Sequence, residues 1–338
     1  VQFIIKPFFS KGTLNMISAP PNEWKSWFLF EMAHAIAKGS NLLDNAVFNT
    51  EQSRIMIINE EDPAHSLQNR LKMLGITDTS LPIFFHIAKG FKLEKKYIDP
   101  IIAEIKEKNI SVIFFDSLRA VNNANENDST EMQVMMDMLK QFSHEGITVI
   151  LTHHHRKKSP FEKQNSGMEA SRGSSAITAA MHGHISMAEE IRETGTYVVV
   201  HHLKSKDAEK IQPFEMQVIK TRNEKGDVTG IRFQFEGQFQ SGEKKLMDTK
   251  QVIIKSMKDM DGWFCFKDFL KMEIAGLAII RTALRDLKNE GALISMTRKQ
   301  IEEKGEVIEG EGRPNELFYS WNKEKKPDWT ENNNDIQL

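Results

Sequence analysis

The sequence predicts an α/β domain built on a mainly parallel central sheet, followed by a small domain of helices and a hairpin. Short apolar runs alternate with helical patterns from about residue 13 to 204. Most of those runs are continuous rather than alternating, as in central strands covered on both faces. From about Met247 the pattern changes to three helices and two strand-like stretches. A chain of 338 residues exceeds one small core and suits two domains.

The expected strands are Thr13–Ala19, Ile55–Glu61, Ile83–Ala88, Val112–Ser117, Thr148–His154, Gly183–Ala188 and Tyr197–Leu203. Helices fit between them at Ser26–Lys38, Ala64–Leu74, Leu93–Lys108, Ser129–His144 and Met168–Ala180. Such alternation implies βαβ units with right-handed crossovers. Phe214–Lys220 and Gly230–Phe235 read as a hairpin across the polar turn Arg222–Asp227. Further on, Asp248–Met260, Phe266–Met272 and Leu277–Asn289 read as helices, the last stopped by Gly291. Ala292–Met296 and Glu316–Trp321 then flank a charged, glycine-bearing loop. Three helices and a hairpin outline a winged helix-turn-helix. The expected division is 1–237 for the α/β domain, 238–247 for a linker, 248–322 for the winged helix and 323–338 for a disordered polar tail.

Composition sets outer limits. Apolar residues make up 40% and charged residues 27%, an ordinary globular balance, and the net charge is −2. That excludes a wholly basic nucleic-acid coat but leaves room for local basic patches. The single cysteine, Cys265, excludes a disulfide framework within the chain and a cysteine-based zinc site. No apolar stretch has the length of a bilayer span and no signal peptide is visible, so a cytoplasmic protein is expected. The chain starts at Val1 and runs directly into a strand-like segment, which suggests a fragment lacking an N-terminal part.

Two segments carry the chemistry. Asn15 to Ser26 reads as a strand, a tight loop (Ala19, Pro20, Pro21, Asn22, Glu23, Trp24) and then Lys25-Ser26 opening an amphipathic helix. Val112 to Ser117 is an apolar run that ends on Asp116. This is the layout of a nucleoside-triphosphate site. The loop holds phosphates, Lys25 meets their charge, the Ser26 hydroxyl reaches Mg²⁺, and Asp116 sits behind the metal's water. The usual loop pattern is G-x-x-x-x-G-K-[ST], and here Ala19 and Trp24 occupy both glycine positions. Trp24 at positive φ must turn its indole away from the phosphates or over a base. The alternative is a strand, a turn and a helix with a surface lysine.

Glu60, Glu61 and Asp62 follow a strand end, where carboxylates face the ligand crevice of an open α/β sheet. Glu61 is the candidate to activate water, and Asp62 before Pro63 is expected to cap the next helix. His153, His154 and His155 also leave a strand end, with His153 the candidate γ-phosphate sensor. Arg156, Lys157, Lys158 and Lys163 follow in a loop suited to a nucleic-acid backbone, or are simply solvated. In the C-terminal part, Leu277, Ile280, Leu284 and Leu287 form the core stripe of the third helix. Arg281 and Arg285 lie on another face and are candidates for DNA contact, although acidic neighbours and many protein-binding winged helices favour the other use equally.

Lys25-Ser26, Glu61-Asp62-Pro63 with Arg70, Asp116-Ser117-Leu118-Arg119, the histidine run at 153–155 and Ser171-Arg172-Gly173-Ser174-Ser175 occur in one order. In these motifs residues 3 to 236 resemble the RecA-like P-loop ATPases of the RepA type, which are hexameric replicative helicases of plasmids with relatives in phages and mobile elements. The resemblance implies ATP and Mg²⁺ bound between subunits of a homohexameric ring moving on single-stranded DNA. It gives Lys25, Ser26, Glu61, Asp116 and His153 the roles above. It also implies that Lys204 and Lys206 enter a neighbour's site, with Arg172 coupling subunits or lying on a helix surface. A primase domain upstream is the companion it implies. The family's arginine finger has no counterpart at Met181-His182-Gly183-His184. Two other readings stand beside the motor: an ATP-binding regulator or loader with weak hydrolysis, and a scaffold with an empty site.

Overall fold

A computed structural model describes residues 1–126, 128–155, 175–192, 194–239, 242–259, 262–272, 274–306, 308 and 313–322. The chain divides into two compact units, between Phe239 and Gln240.

The first unit opens with a small antiparallel pair, β1 (Phe3–Ile5) and β2 (Phe9–Ser10). Then come β3 (Leu14–Ala19), α1 (Lys25–Lys38), β4 (Ile55–Asn59), α2 (Ala64–Met73), β5 (Ile83–Ile87), α3 (Lys95–Glu107) and β6 (Val112–Asp116). The short α4 (Leu118–Val121), α5 (Ser129–His144), β7 (Thr148–His154) and α6 (Ser175–Ala180) follow. Four strands complete the unit: β8 (Gly183–Arg192), β9 (Gly195–Ser205), β10 (Phe214–Arg222) and β11 (Val228–Gln238). Among the described residues β3 to β11 form one nine-stranded sheet in the order β11-β10-β9-β8-β3-β7-β6-β4-β5. From β8 to β5 neighbouring strands are parallel, and from β8 to β11 they are antiparallel.

The continuous apolar runs have the expected cause. Alternate residues of each central strand enter different cores, because successive side chains point to opposite faces. Ile17, Ile55, Ile57, Val112, Phe114 and Ile150 pack in the core shared with α1. Met16, Met56, Ile58, Ile113, Phe115, Val149 and Leu151 pack in the core shared with α3 and α5. Both faces are therefore buried, and β4 and β6 are apolar up to their last residues, Asn59 and Asp116.

The expected mainly parallel sheet is present, with one correction. The sequence pattern places Tyr197–Leu203 among the apolar strands that alternate with helices. It belongs instead to β9, which returns antiparallel to β8, Glu190 pairing with Tyr197. The residues between β8 and β9 are too few for the crossover that a parallel return requires.

The second unit contains α7 (Gly242–Asp259), β12 (Phe264–Cys265), α8 (Phe266–Lys271), α9 (Leu277–Asn289), β13 (Leu293–Thr297), α10 (Arg298–Glu303) and β14 (Leu317–Trp321). The strands make an antiparallel sheet in the order β12-β14-β13. Ile253, Met257, Phe269, Ile280, Leu284 and Leu287 form its core. Leu277, expected in that stripe, is 47% exposed because it opens the first turn of α9. The expected loop between the hairpin strands contains α10, whose start is a capping box: the Thr297 hydroxyl accepts from the Gln300 N–H and the Gln300 side chain accepts from the Thr297 N–H. The tail from residue 323 lies outside the described residues.

Candidate nucleotide site

The candidate residues converge at the carboxyl ends of the parallel strands. A cavity of about 340 Å³ is lined by the loop from Asn22 to Ser26 with Trp27, Glu61, Asp62, Arg70, Asp116, Ser117 and His154. Three of the strands supply a wall by simple parity. Asn59, Asp116, Thr152 and His154 lie two or four residues beyond Ile57, Phe114 and Ile150, so they share the sheet face of α1.

Asp116 is the centre of that wall. It is 1% exposed, accepts from the Thr152 hydroxyl at 2.7 Å and from the Asn59 amide at 3.1 Å, and is hydrogen-bonded by Ser26. Burial pushes its carboxyl above the usual carboxylate range, against the hydrogen bonds from Thr152 and Ser26. A carboxylate so placed is costly without a cation. The Asn59 side-chain oxygen turns the chain out of β4 by accepting from the N–H groups of Glu61 and Asp62 at 3.1 and 2.8 Å. Glu61 is thereby aimed into the cavity, where it accepts from the Ser117 hydroxyl at 2.6 Å. His154 Nε2 stands 4.0 Å from Glu61 Oε1, an electrostatic contact rather than a good hydrogen bond. His154 and then the Ser117 hydroxyl hold the Glu61 carboxyl below its usual range.

Lys25 is buried at the N-terminus of α1, an end that favours anions. Its ammonium donates to the Pro20 carbonyl at 2.8 Å. Burial lowers its pKa to about 8, against the attraction of Asp116, Glu23 and Glu61. The loop before it needs no glycine at its first position, because Ala19 still pairs with His154 as the last residue of β3. The left-handed conformation falls at Asn22 (φ 62°) and Trp24 (φ 56°). For Trp24 this costs about 1–2 kcal/mol. Trp24 lines the cavity, and its indole is held by the strands beside it. Indole N–H donates to the Glu189 carboxylate, the ring meets Trp27 and Phe233, and the Lys220 ammonium lies 5.2 Å from its centroid.

Several placements differ from expectation. His153 is 1% exposed and lies on the opposite face, with Val149 and Leu151, while His154 lines the cavity. The signal was parity with Ile150 and Thr152. Asp62 does not cap α2; Pro63 is the capping residue, and Asp62 instead holds Arg70 bidentately at 2.7 and 3.0 Å. Lys204 does not project freely, since its ammonium donates to the Thr178 and Ala179 carbonyls at 2.9 and 3.1 Å, closing the C-terminus of α6. Lys206 is exposed. Met181, Gly183 and His184 are buried at the entry to β8. Arg156, Lys157, Lys158, Lys163 and Arg172, the expected DNA-contacting and subunit-coupling residues, lie outside the described residues. Arg281 and Arg285 are exposed on α9, Arg281 with its guanidinium 5.1 Å from the Phe266 ring centroid.

Two oxygen donors, Ser26 and Asp116, suit Mg²⁺, which takes few protein ligands when phosphate and water complete its shell. Among the described residues no group of three or more His, Cys, Asp or Glu is placed to hold a metal by itself. No described helix is long and apolar enough to cross a membrane.

The family model described as "AAA domain" matches residues 1–160. Together with the mostly parallel α/β sheet, that match makes this part of the chain similar to an AAA-type P-loop ATPase domain, which supports nucleotide binding and ATPase activity in general. A search of curated proteins found no match.

Proposed function

We propose that the chain is an Mg²⁺-dependent ATPase that moves on single-stranded DNA as a homohexameric ring, in the replication of a plasmid, phage or mobile element. The observation that carries the ATPase part is the meeting of Lys25, Ser26, Glu61 and Asp116 around one cavity at the carboxyl edge of the sheet. Lys25 and the N–H groups opening α1 meet the phosphates. Ser26 and Asp116 are the residues that would hold Mg²⁺, which would supply positive charge against the phosphates. Glu61, kept ionised by His154 and Ser117, orients the attacking water and accepts its proton as phosphate leaves ADP. The lining of the cavity by His154 supports reading it, rather than His153, as the side chain that responds to the γ-phosphate. Lys206 remains the exposed cation suited to a neighbour's site. The second unit, with four helices and a three-stranded antiparallel sheet among its described residues, is read as a winged helix that uses α9 toward DNA or a partner protein.

Two observations favour the reading of a slow, switch-like regulator or loader: a loop with tryptophan in the left-handed position, and a Lys204 tied to α6. ATP hydrolysis by the purified chain, with and without single-stranded DNA and beside Lys25→Ala, separates the two. DNA-stimulated turnover that the variant loses, from a ring-sized particle in light scattering, supports the motor. Binding of ATP by a monomer or dimer without turnover above Lys25→Ala replaces the motor with the switch.

A further inference from the structure

We infer that Glu189 is a positioning residue for the phosphate loop, replacing with a two-point clamp the freedom that glycines would give. The inference rests on the nucleotide-site reading. Glu189 lies on β8, in the part of the chain beyond the family match and far in sequence from the loop. It reaches the loop twice. Its backbone N–H donates to the Glu23 carboxylate at 2.8 Å, and its own carboxylate accepts the Trp24 indole N–H. The indole also meets the Phe233 ring of β11 edge to face, and the Lys220 ammonium of β10 lies 5.2 Å from its centroid.

The clamp answers a physical problem. A glycine at position 24 adopts positive φ without strain, and the loop then holds its shape through backbone freedom alone. A tryptophan there favours other backbone conformations, and the neighbouring N–H groups then no longer converge on one anion. Three strands of the antiparallel part fix the indole, and the indole fixes the backbone next to Lys25. Nucleotide affinity thus depends on a carboxylate that touches no part of the nucleotide.

The test measures Mg-ATP affinity of the full chain by titration calorimetry, with melting temperature as a folding control. Glu189→Ala is expected to weaken binding about tenfold, the scale of one charge-assisted hydrogen bond. Glu189→Gln, whose side-chain oxygen still accepts the indole N–H, should recover most of that loss. In a Trp24→Gly background, where the loop needs no clamp, Glu189→Ala should change affinity less than twofold. Unchanged affinity in Glu189→Ala, or an equal loss in the Trp24→Gly background, overturns the inference and leaves the nucleotide site standing. A parent chain that binds no Mg-ATP overturns the nucleotide reading and the inference with it.

Discussion

The parallel and antiparallel halves of the large sheet do different work. In the parallel half the reactive side chains arise from strand ends and stabilise one another locally: Asn59, Asp116 and Thr152 are bonded across adjacent strands. Among the described residues none in the antiparallel half lines the cavity, yet Glu189, Lys220 and Phe233 grip the loop proposed to surround phosphates. The proposed chemistry is therefore concentrated where helix N-termini and strand ends converge. The loop rests on strands that contribute no described residue to the cavity lining. Between the halves runs a seam of buried polar groups. The Ser18 hydroxyl of β3 meets His184 Nε2 at 2.8 Å and His155 Nε2 at 3.1 Å, and Ser186 of β8 meets His155 at 3.1 Å.

Substitutions can break this division of labour. The largest effects should come from Lys25→Ala and Asp116→Asn, each lowering ATP turnover by about 10²–10³-fold or more. Retained melting temperature would place that loss in the chemistry of the parallel half. Glu61→Gln should lower kcat by about 10²–10⁴-fold while Mg-ATP still binds within a few-fold of the parent. Equal losses in binding and turnover would instead make Glu61 part of the loop's support.

Phe233→Ala acts from the other half. It removes a 4% exposed ring packed on Phe28 and Trp24 and should cost about 3–5 kcal/mol of stability in denaturant unfolding. Turnover per bound ATP should change little, and a collapse of kcat in a folded variant would dissolve the contrast between the halves.

The seam predicts a smaller, pH-dependent effect. Burial, with His155 and His153 nearby, lowers the His184 pKa to about 3. The unfolded chain holds a proton on this residue below about 6.5 and the folded chain does not until about pH 3. Stability from His184 is thus present above 6.5 and is lost as pH falls, by at most about 1.4 kcal/mol per unit. Unfolding midpoints measured from pH 7 to pH 5 should fall less steeply in His184→Gln.

The smallest effect concerns Lys25, whose pKa of about 8 lies below that of an unfolded lysine. Its charge is lost as pH rises through 8, so Mg-ATP affinity should decline above that point, by up to about tenfold per pH unit, and Lys25→Ala should remove the decline. Between about 8 and 10.5 the unfolded chain binds the extra proton, so stability from this group rises with pH over the same window.

Much of the fold was legible because two-sided burial leaves a direct mark. Strands such as Ile55–Asn59 and Val112–Asp116 have no polar alternation, and carboxylates at their ends stand out against it. Lys25-Ser26 was legible for the same reason, following an apolar strand and opening a helix. The choice between His153 and His154 was present in the sequence as period-two parity but needed the face of α1 to be known. The capping box of Thr297 and Gln300 was also readable, and was masked by the surrounding charge.

By itself, then, the sequence determined the local units: apolar strands, amphipathic helices, a lysine-serine helix start and an aspartate at a strand end. These depend on periodicity and near neighbours, which a linear string records. Only the tertiary structure decided the rest. It returned β9 antiparallel, gave Lys204 to the carbonyls of α6, paired Asp62 with Arg70, and set Glu189 of β8 against Trp24. Strand order and register settle those contacts, and they join residues whose separation along the chain carries no periodic signal.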